Sequence, residues 1–270
     1  MDRVEDCGKD FEVFMDYADI AKQSRIKCLE LVYKAQTSHI GSLFSCADIM
    51  AVLFEKMDLE KDIFVAGKSW CAALLYYHLW RKGKITEEQL DSYCQDGSLF
   101  IGLVEPVVPK YIPFGIGSMG YGVAAGVGFA LAKKRKGEDG TVYVLLSDGE
   151  LNCGSTWESA AIAAQHKLDN LVVLVDRNQF QAMGRTEDIL QMEPIGDKWE
   201  AFGWGRMFCD GHDFVEIDTG IHPIRVDYPN VTVFNTIKGK GWKRAENNNL
   251  YHYKQLSEDE YVEAHNELQS

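Results

Sequence analysis

Residues 147–178 read SDGELNCGSTWESAAIAAQHKLDNLVVLVDRN. An apolar run, TVYVLL (141–146), leads into the acidic turn Ser147-Asp148-Gly149; a second run, NLVVLV (170–175), leads into Asp176-Arg177-Asn178. The intervening stretch has helical character and exceeds the roughly ten to twelve residues that a crossover between parallel strands needs. Both runs are rich in β-branched residues and continuously apolar, as strands covered on both faces are. A β-α-β unit brings both strand ends to the carboxyl edge of the sheet, where open α/β proteins bind ligands. Asp148 and Asn178 are therefore predicted to meet there. A carboxylate and an amide oxygen are hard donors suited to Mg²⁺, an ion that keeps waters and substrate phosphates in its shell. Gly149 allows backbone amides to approach a phosphate at the start of the next helix.

A third run, VTVFNTI (231–237), and the helices between the runs predict a doubly wound, mostly parallel α/β sheet with helices on both faces. Ile26, Leu29, Val32 and Tyr33 recur at helical spacing before it. Ser45-x-x-Asp48 and Thr86-x-x-Gln89 read as capping boxes opening helices. Gly122, Gly126 and Ala130 place small residues on one helix face, and Ser257–Ser270 reads as a terminal helix. With neither an internal repeat nor a long linker, residues 1–270 are expected to form one domain.

Composition bounds the function. A net charge of −13 and the lack of a basic stripe argue against a nucleic-acid partner. The one basic run, Lys133–Lys136, precedes Gly137 and reads as a helix C-terminus. The seven cysteines form no C-x-x-C pair, so the expectation is a reduced cytoplasmic protein without zinc. The opening MDRVEDCGKD has no apolar leader core, and no run approaches the roughly 18–20 apolar residues of a membrane span. Gly115–Gly120 fits G-x-G-x-x-G, but the proline-rich VEPVVPKYIPF before it opposes the strand that a dinucleotide site requires.

Several further segments point one way. Thr37-Ser38-His39-Ile40-Gly41-Ser42, Gly117-Ser118-Met119-Gly120-Tyr121-Gly122, Gln181-x-x-Gly184-x-Thr186-Glu187, and Ile237-Lys238-Gly239-Lys240-Gly241 with His252-x-Lys254 flank the Asp148–Asn178 segment in order. Together they resemble the thiamine diphosphate fingerprint of the transketolase family, and specifically the separate N-terminal subunit of split transketolases. The resemblance covers nearly the whole chain. It implies Mg²⁺ held by Asp148, Asn178 and the backbone carbonyl of Phe180. Gly117, Met119 and Gly149 would lie against thiamine diphosphate, and His39 and His252 would face the diphosphate and the substrate. The implied reaction moves a two-carbon ketol unit from a ketose or 2-oxo donor to an aldehyde, the cofactor carrying the chemistry. His212, by contrast, reads as structural.

The departures from the family pattern are as informative. Trp70 stands in place of a substrate-side histidine, Leu103 where Gly-His-Pro is usual, Cys153 in place of an interface glutamate, and Ser147 in place of a glycine. Two imidazoles are lost and an indole gained, which predicts poor turnover of the standard pentose phosphate pair. The alternatives are another thiamine diphosphate carboligase or decarboxylase and a non-catalytic scaffold subunit. The family divides the cofactor between two domains, and the pyrimidine-binding one is expected on a C-terminal transketolase-like partner chain, most simply in an α₂β₂ heterotetramer.

Overall fold

Along each central strand, successive side chains point to opposite faces of the sheet, and the apolar runs divide accordingly. Tyr143, Leu145, Val172 and Leu174 belong to one buried cluster. Their neighbours Val144, Leu146, Val173 and Val175 belong to the other. The computed structural model describes the backbone of residues 6–270 and the side chains of residues 16–270. The leader-free reading of the first ten residues and the side chain of Cys7 lie outside these.

Helices α1 (Asp6–Ala35), α2 (Ile40–Ser45) and α3 (Ala47–Lys56) come first, then strand β1 (Ile63–Ala66). Helices α4 (Ala72–Arg81), α5 (Glu87–Asp91) and α6 (Gly122–Lys136) precede β2 (Val142–Ser147). The β-α-β unit continues through α7 (Gly154–Gln165) to β3 (Leu171–Arg177). Short helices α8 (Thr186–Ile189) and α9 (Ile195–Ala201) lead to β4 (Gly205–Asp210), then α10 (Phe214–Gly220), β5 (Asn230–Asn235) and α11 (Glu258–Gln269). The five strands are ordered β1-β2-β3-β5-β4, and every pair is parallel. The doubly wound α/β reading is borne out. Among the described residues no helix is long and apolar enough to cross a membrane.

Local signals were realised unevenly. Thr86 and Gln89 form a complete capping box, and Ser257 caps α11. Gly137, in the left-handed region at φ 67°, ends α6 after its four basic residues. Ser45-x-x-Asp48 does not form the predicted box, because stronger partners claim both side chains. Ser45 Oγ donates to Asp176 Oδ2 at 2.6 Å. The Asp48 carboxylate takes a bidentate ion pair from Arg25, 2.7 Å at each oxygen, and a 2.6 Å contact from His212 Nδ1. Charged partners outweigh a neutral cap. His212 is structural as read: its Nε2 accepts the Ile237 N–H at 2.8 Å, which ties the β4–α10 turn to the end of β5.

Candidate cofactor and metal site

The site is built where β2 and β3 end side by side. Ser147 pairs in register with Asp176, so the residues that follow, Asp148 and Arg177-Asn178, leave the same edge. Asp148 opens a 3-10 turn, Asp148–Asn152. Gln179 adopts a left-handed φ of 67°, and its N–H donates to Asp148 Oδ2 at 2.8 Å. The two predicted ligand residues thus belong to one bonded unit.

Each is prepared differently. Asp148 is buried, and among the described residues no cation stands within ion-pair distance of it. Burial above all, then the charge on Asp176, pushes its pKa up to about 7. Asn178 is also buried; its Nδ2 faces Asp176 Oδ2 and Ser45 Oγ at 3.3 Å each. A carboxylate accepts only, so the amide nitrogen must point at it and Oδ1 is the atom turned away. That oxygen accepts from Phe180 N at 3.0 Å. Phe180 then pairs with Arg185 in a tight hairpin closed by Gln181 N donating to Gly184 O at 2.8 Å.

Beneath lies a buried pair that sequence reasoning missed. Lys68 and Asp176 are both fully buried and hydrogen-bonded to one another. Burial opposes both charges, yet their attraction prevails: the Lys68 pKa is raised and that of Asp176 lowered. Ser42 O, Ser45 and Thr236 complete the network, as a desolvated ion pair requires. More than a hundred residues separate the two partners, so no local pattern announces them.

Two cavities open over this floor. One, about 220 Å³, is lined by His39, Lys68, Trp70, Asn178, Phe180 and His252 among others. The second, about 230 Å³, is walled by Leu103, Ile116, Gly117 and Ser118; Trp70 and Met119 line both. Gly149 lines the first, and a Cβ there would stand 3.0 Å from Met119 Sδ. A Cβ on Gly117 would meet no protein atom within 4 Å, so this glycine faces open space. His39, at φ 75°, is held by its N–H to His252 O at 3.0 Å. The two imidazole rings lie 5.1 Å apart. Burial foremost, with Lys238 and Lys68 adding repulsion, lowers His39 to about 4; burial, Lys238, His39 and Lys68 lower His252 to about 3. Both shifts favour the neutral imidazole. Asp148 does not line either cavity: it opens onto a smaller polar one with Arg177, Gln179 and Thr186.

A family model described as the transketolase thiamine diphosphate binding domain matches residues 17–269. The chain belongs to the transketolase family. An apulose-4-phosphate transketolase subunit of Phocaeicola vulgatus is 34% identical over 262 residues, covering 92% of each chain. The 6-deoxy-6-sulfo-D-fructose transketolase subunit of a Clostridium species is 32% identical over 252 residues, covering 89% of this chain and 92% of that one. The solved transketolase of Campylobacter jejuni superposes with a TM-score of 0.89 at 27% identity. It matches 94% of this chain, which spans only 43% of that longer one. The family is one of transferases that use thiamine diphosphate.

Three of the four departures from the family pattern, Trp70, Leu103 and Ser147, fall on the cavity walls; Cys153 does not. Trp70 lines both cavities, and its Nε1 is buried with no hydrogen-bond partner among the described residues. Leu103 lines the second cavity beside it. The metal set expected from the sequence is all oxygen, as Mg²⁺ prefers. Asp148, Asn178 and the Phe180 carbonyl contain a single acidic group, so a cluster of acids or imidazoles is not their signature.

Proposed function

We propose that this chain is the diphosphate- and metal-holding half of a two-chain ketol transferase. Mg²⁺ is held by Asp148, Asn178 and the Phe180 backbone carbonyl. The observation that carries the metal assignment is Asp148: a buried acid with no cation at ion-pair distance among the described residues, bonded to the loop of an asparagine whose amide oxygen faces away from its anionic neighbour. A divalent cation supplies the missing compensation. Thiamine diphosphate, when bound, supplies the carbon–carbon bond chemistry of the family. Gly149 and Gly117 admit it where a side chain would intrude. His39 and His252, neutral and stacked edge-on at the cavity wall, orient the substrate by hydrogen bonds.

The ketose handled belongs to a less common class than xylulose 5-phosphate. Two relatives are named for apulose 4-phosphate and for 6-deoxy-6-sulfofructose. Trp70 and Leu103 support the same direction, since they replace imidazole contacts by apolar walls. The partner is a chain carrying the pyrimidine-binding domain; relatives of this length that are named as subunits support this.

The metal assignment is tested by calorimetric titration of Mg²⁺ and thiamine diphosphate into the assembled protein. Asp148→Ala and Asn178→Ala are expected to weaken Mg²⁺-dependent cofactor binding at least about 100-fold, beyond the usual cost of losing an outer-shell partner. Both variants should fold, because neither side chain contributes apolar packing. Wild-type affinity in both would overturn the assignment.

A further inference from the structure

Lys238 is fully buried beside the first cavity, and its partners are unusual for a lysine. Its Nζ lies 2.9 Å from His252 Nδ1 and donates to Asn249 Oδ1 at 2.8 Å. Asn249 Nδ2 in turn donates to Ala182 O at 2.9 Å, within the hairpin that follows Asn178. The lysine stem is clamped from the other side: a Cβ on Gly41 would stand 3.3 Å from Lys238 Cγ, and Gly239 N donates to Gly41 O at 2.9 Å. The stem thus packs against the turn that carries His39.

An ammonium has three donors and no lone pair. The ring nitrogen facing it must therefore be the acceptor, which leaves the proton of neutral His252 on Nε2. His252 lines the cavity, and its Nε2 has no hydrogen-bond partner among the described residues. We propose that Lys238 is a positioning residue which locks His252 in the Nε2–H tautomer, so that His252 meets the substrate as a hydrogen-bond donor and not as a base. The ligand atom it takes is an oxygen acceptor, a carbonyl or hydroxyl of the ketose. The inference rests on the ketol-transfer reading for the identity of that oxygen, but the tautomer does not depend on it. Asn249 extends the arrangement, linking the hairpin after Asn178 to the ammonium that orders the imidazole.

Two independent effects act in the same direction. The hydrogen bond selects the tautomer, and the neighbouring charge disfavours a second proton. The lowered pKa of His252 agrees with that: burial leads and Lys238 comes next among its causes. Lys238 is itself lowered to about 8, by burial first and then by Lys68.

The decisive measurement is ¹⁵N NMR of the histidine ring nitrogens in the full chain near neutral pH, with His252→Gln used to assign the signals. His252 Nδ1 should resonate as an unprotonated nitrogen and Nε2 as a protonated one. An Nδ1–H tautomer or an imidazolium in the wild-type chain would overturn the proposal without any variant being needed. Lys238→Arg, also a donor without a lone pair, should keep the pattern; Lys238→Met should shift it toward a tautomer mixture. In the assembled enzyme Lys238→Met should lower kcat/KM about tenfold or more, the scale of one lost oriented hydrogen bond, and Lys238→Arg should recover most of it. A Lys238→Met chain that folds and retains the wild-type ring signals would reduce the lysine to a structural role and sink the idea. If the tautomer is locked but no ketose is turned over, the ketol-transfer reading fails while the positioning role stands.

Discussion

At the scale of single residues, chemistry is decided by what each polar atom is given to bond. Asp148 and Asp176 sit near the ends of neighbouring strands, yet they have opposite fates. Asp176 has Lys68, which holds its pKa down; Asp148 has one backbone N–H and, among the described residues, no cation at ion-pair distance, which makes it the group that a metal would complete. Trp70 poses the specificity question. Its indole presents a broad apolar face and a single donor, and that donor is buried without a partner among the described residues. An imidazole would offer two nitrogens. We expect Trp70→His to raise kcat/KM for xylulose 5-phosphate with ribose 5-phosphate by about tenfold, the worth of one oriented hydrogen bond. Steady-state assays on a panel of ketose phosphates, sulfonated sugars and 2-oxo acids decide it. Efficient conversion of the standard pair by the wild-type assembly would show the indole to be neutral. A 2-oxo acid as preferred donor would favour the alternative carboligase reading.

At the scale of elements, α6 shows how a small side chain serves one face and is wasted on another. A Cβ on Gly126 would come within 2.4 Å of Val144 Cγ2 on β2, while a Cβ on Gly128 would meet nothing within 4 Å. Helix propensity favours alanine over glycine by roughly 0.5–1 kcal/mol at an interior position. Overpacking a tight contact costs about 1–3 kcal/mol. Gly128→Ala should therefore stabilise the chain by about 0.5–1 kcal/mol, whereas Gly126→Ala should destabilise it by about 1–2 kcal/mol net. Urea denaturation of the two variants checks the contrast; equal effects of one sign would refute the packing account. The same elements explain what the sequence disclosed. β2, β3 and β5 are buried on both faces and read as apolar runs. The missed strands are the two sheet edges, β1 and β4. β1 has four residues, too few to establish a period. β4 alternates buried positions with Arg206, Phe208 and Asp210 in solvent, so its composition resembles a loop. Glycine turns, the Thr86 cap and strand ends were local and therefore legible; the Ser45–Asp48 cap failed because distant partners claim both side chains. The Lys68–Asp176 pair, the Arg25–Asp48–His212 cluster and the Lys238–His252 contact join residues from distant parts of the fold or depend on side-chain orientation. They become visible only once the strands are ordered.

At the scale of the whole molecule, the segment between α5 and α6 leaves several large apolar side chains in solvent. Leu99 is 71% exposed and Tyr121 55%, with Ile101, Leu103, Phe114 and Met119 also exposed on the segment between α5 and α6. Leu103 and Met119 of this segment line the second cavity, and large exposed apolar patches mark interaction sites. The chain spans 43% of a solved transketolase, and similar proteins of its own length are named as subunits. We therefore expect the 99–121 segment to form part of the contact with the pyrimidine-binding chain, and the assembly to be α₂β₂. A stable contact of ordinary size buries about 1,600 Å² in total, and a charge placed at its desolvated centre costs several kcal/mol. Leu99→Asp should thus leave the isolated chain folded, since the side chain is in solvent, but weaken association at least about 100-fold. Co-expression with the partner chain, followed by light scattering and a ketol-transfer assay, measures both mass and activity. The isolated chain should bind thiamine diphosphate weakly and turn over no ketose, because half of the cofactor's surroundings would be water. Full activity from the single purified chain, or an unchanged assembly carrying Leu99→Asp, would show that this face is not where the site is completed.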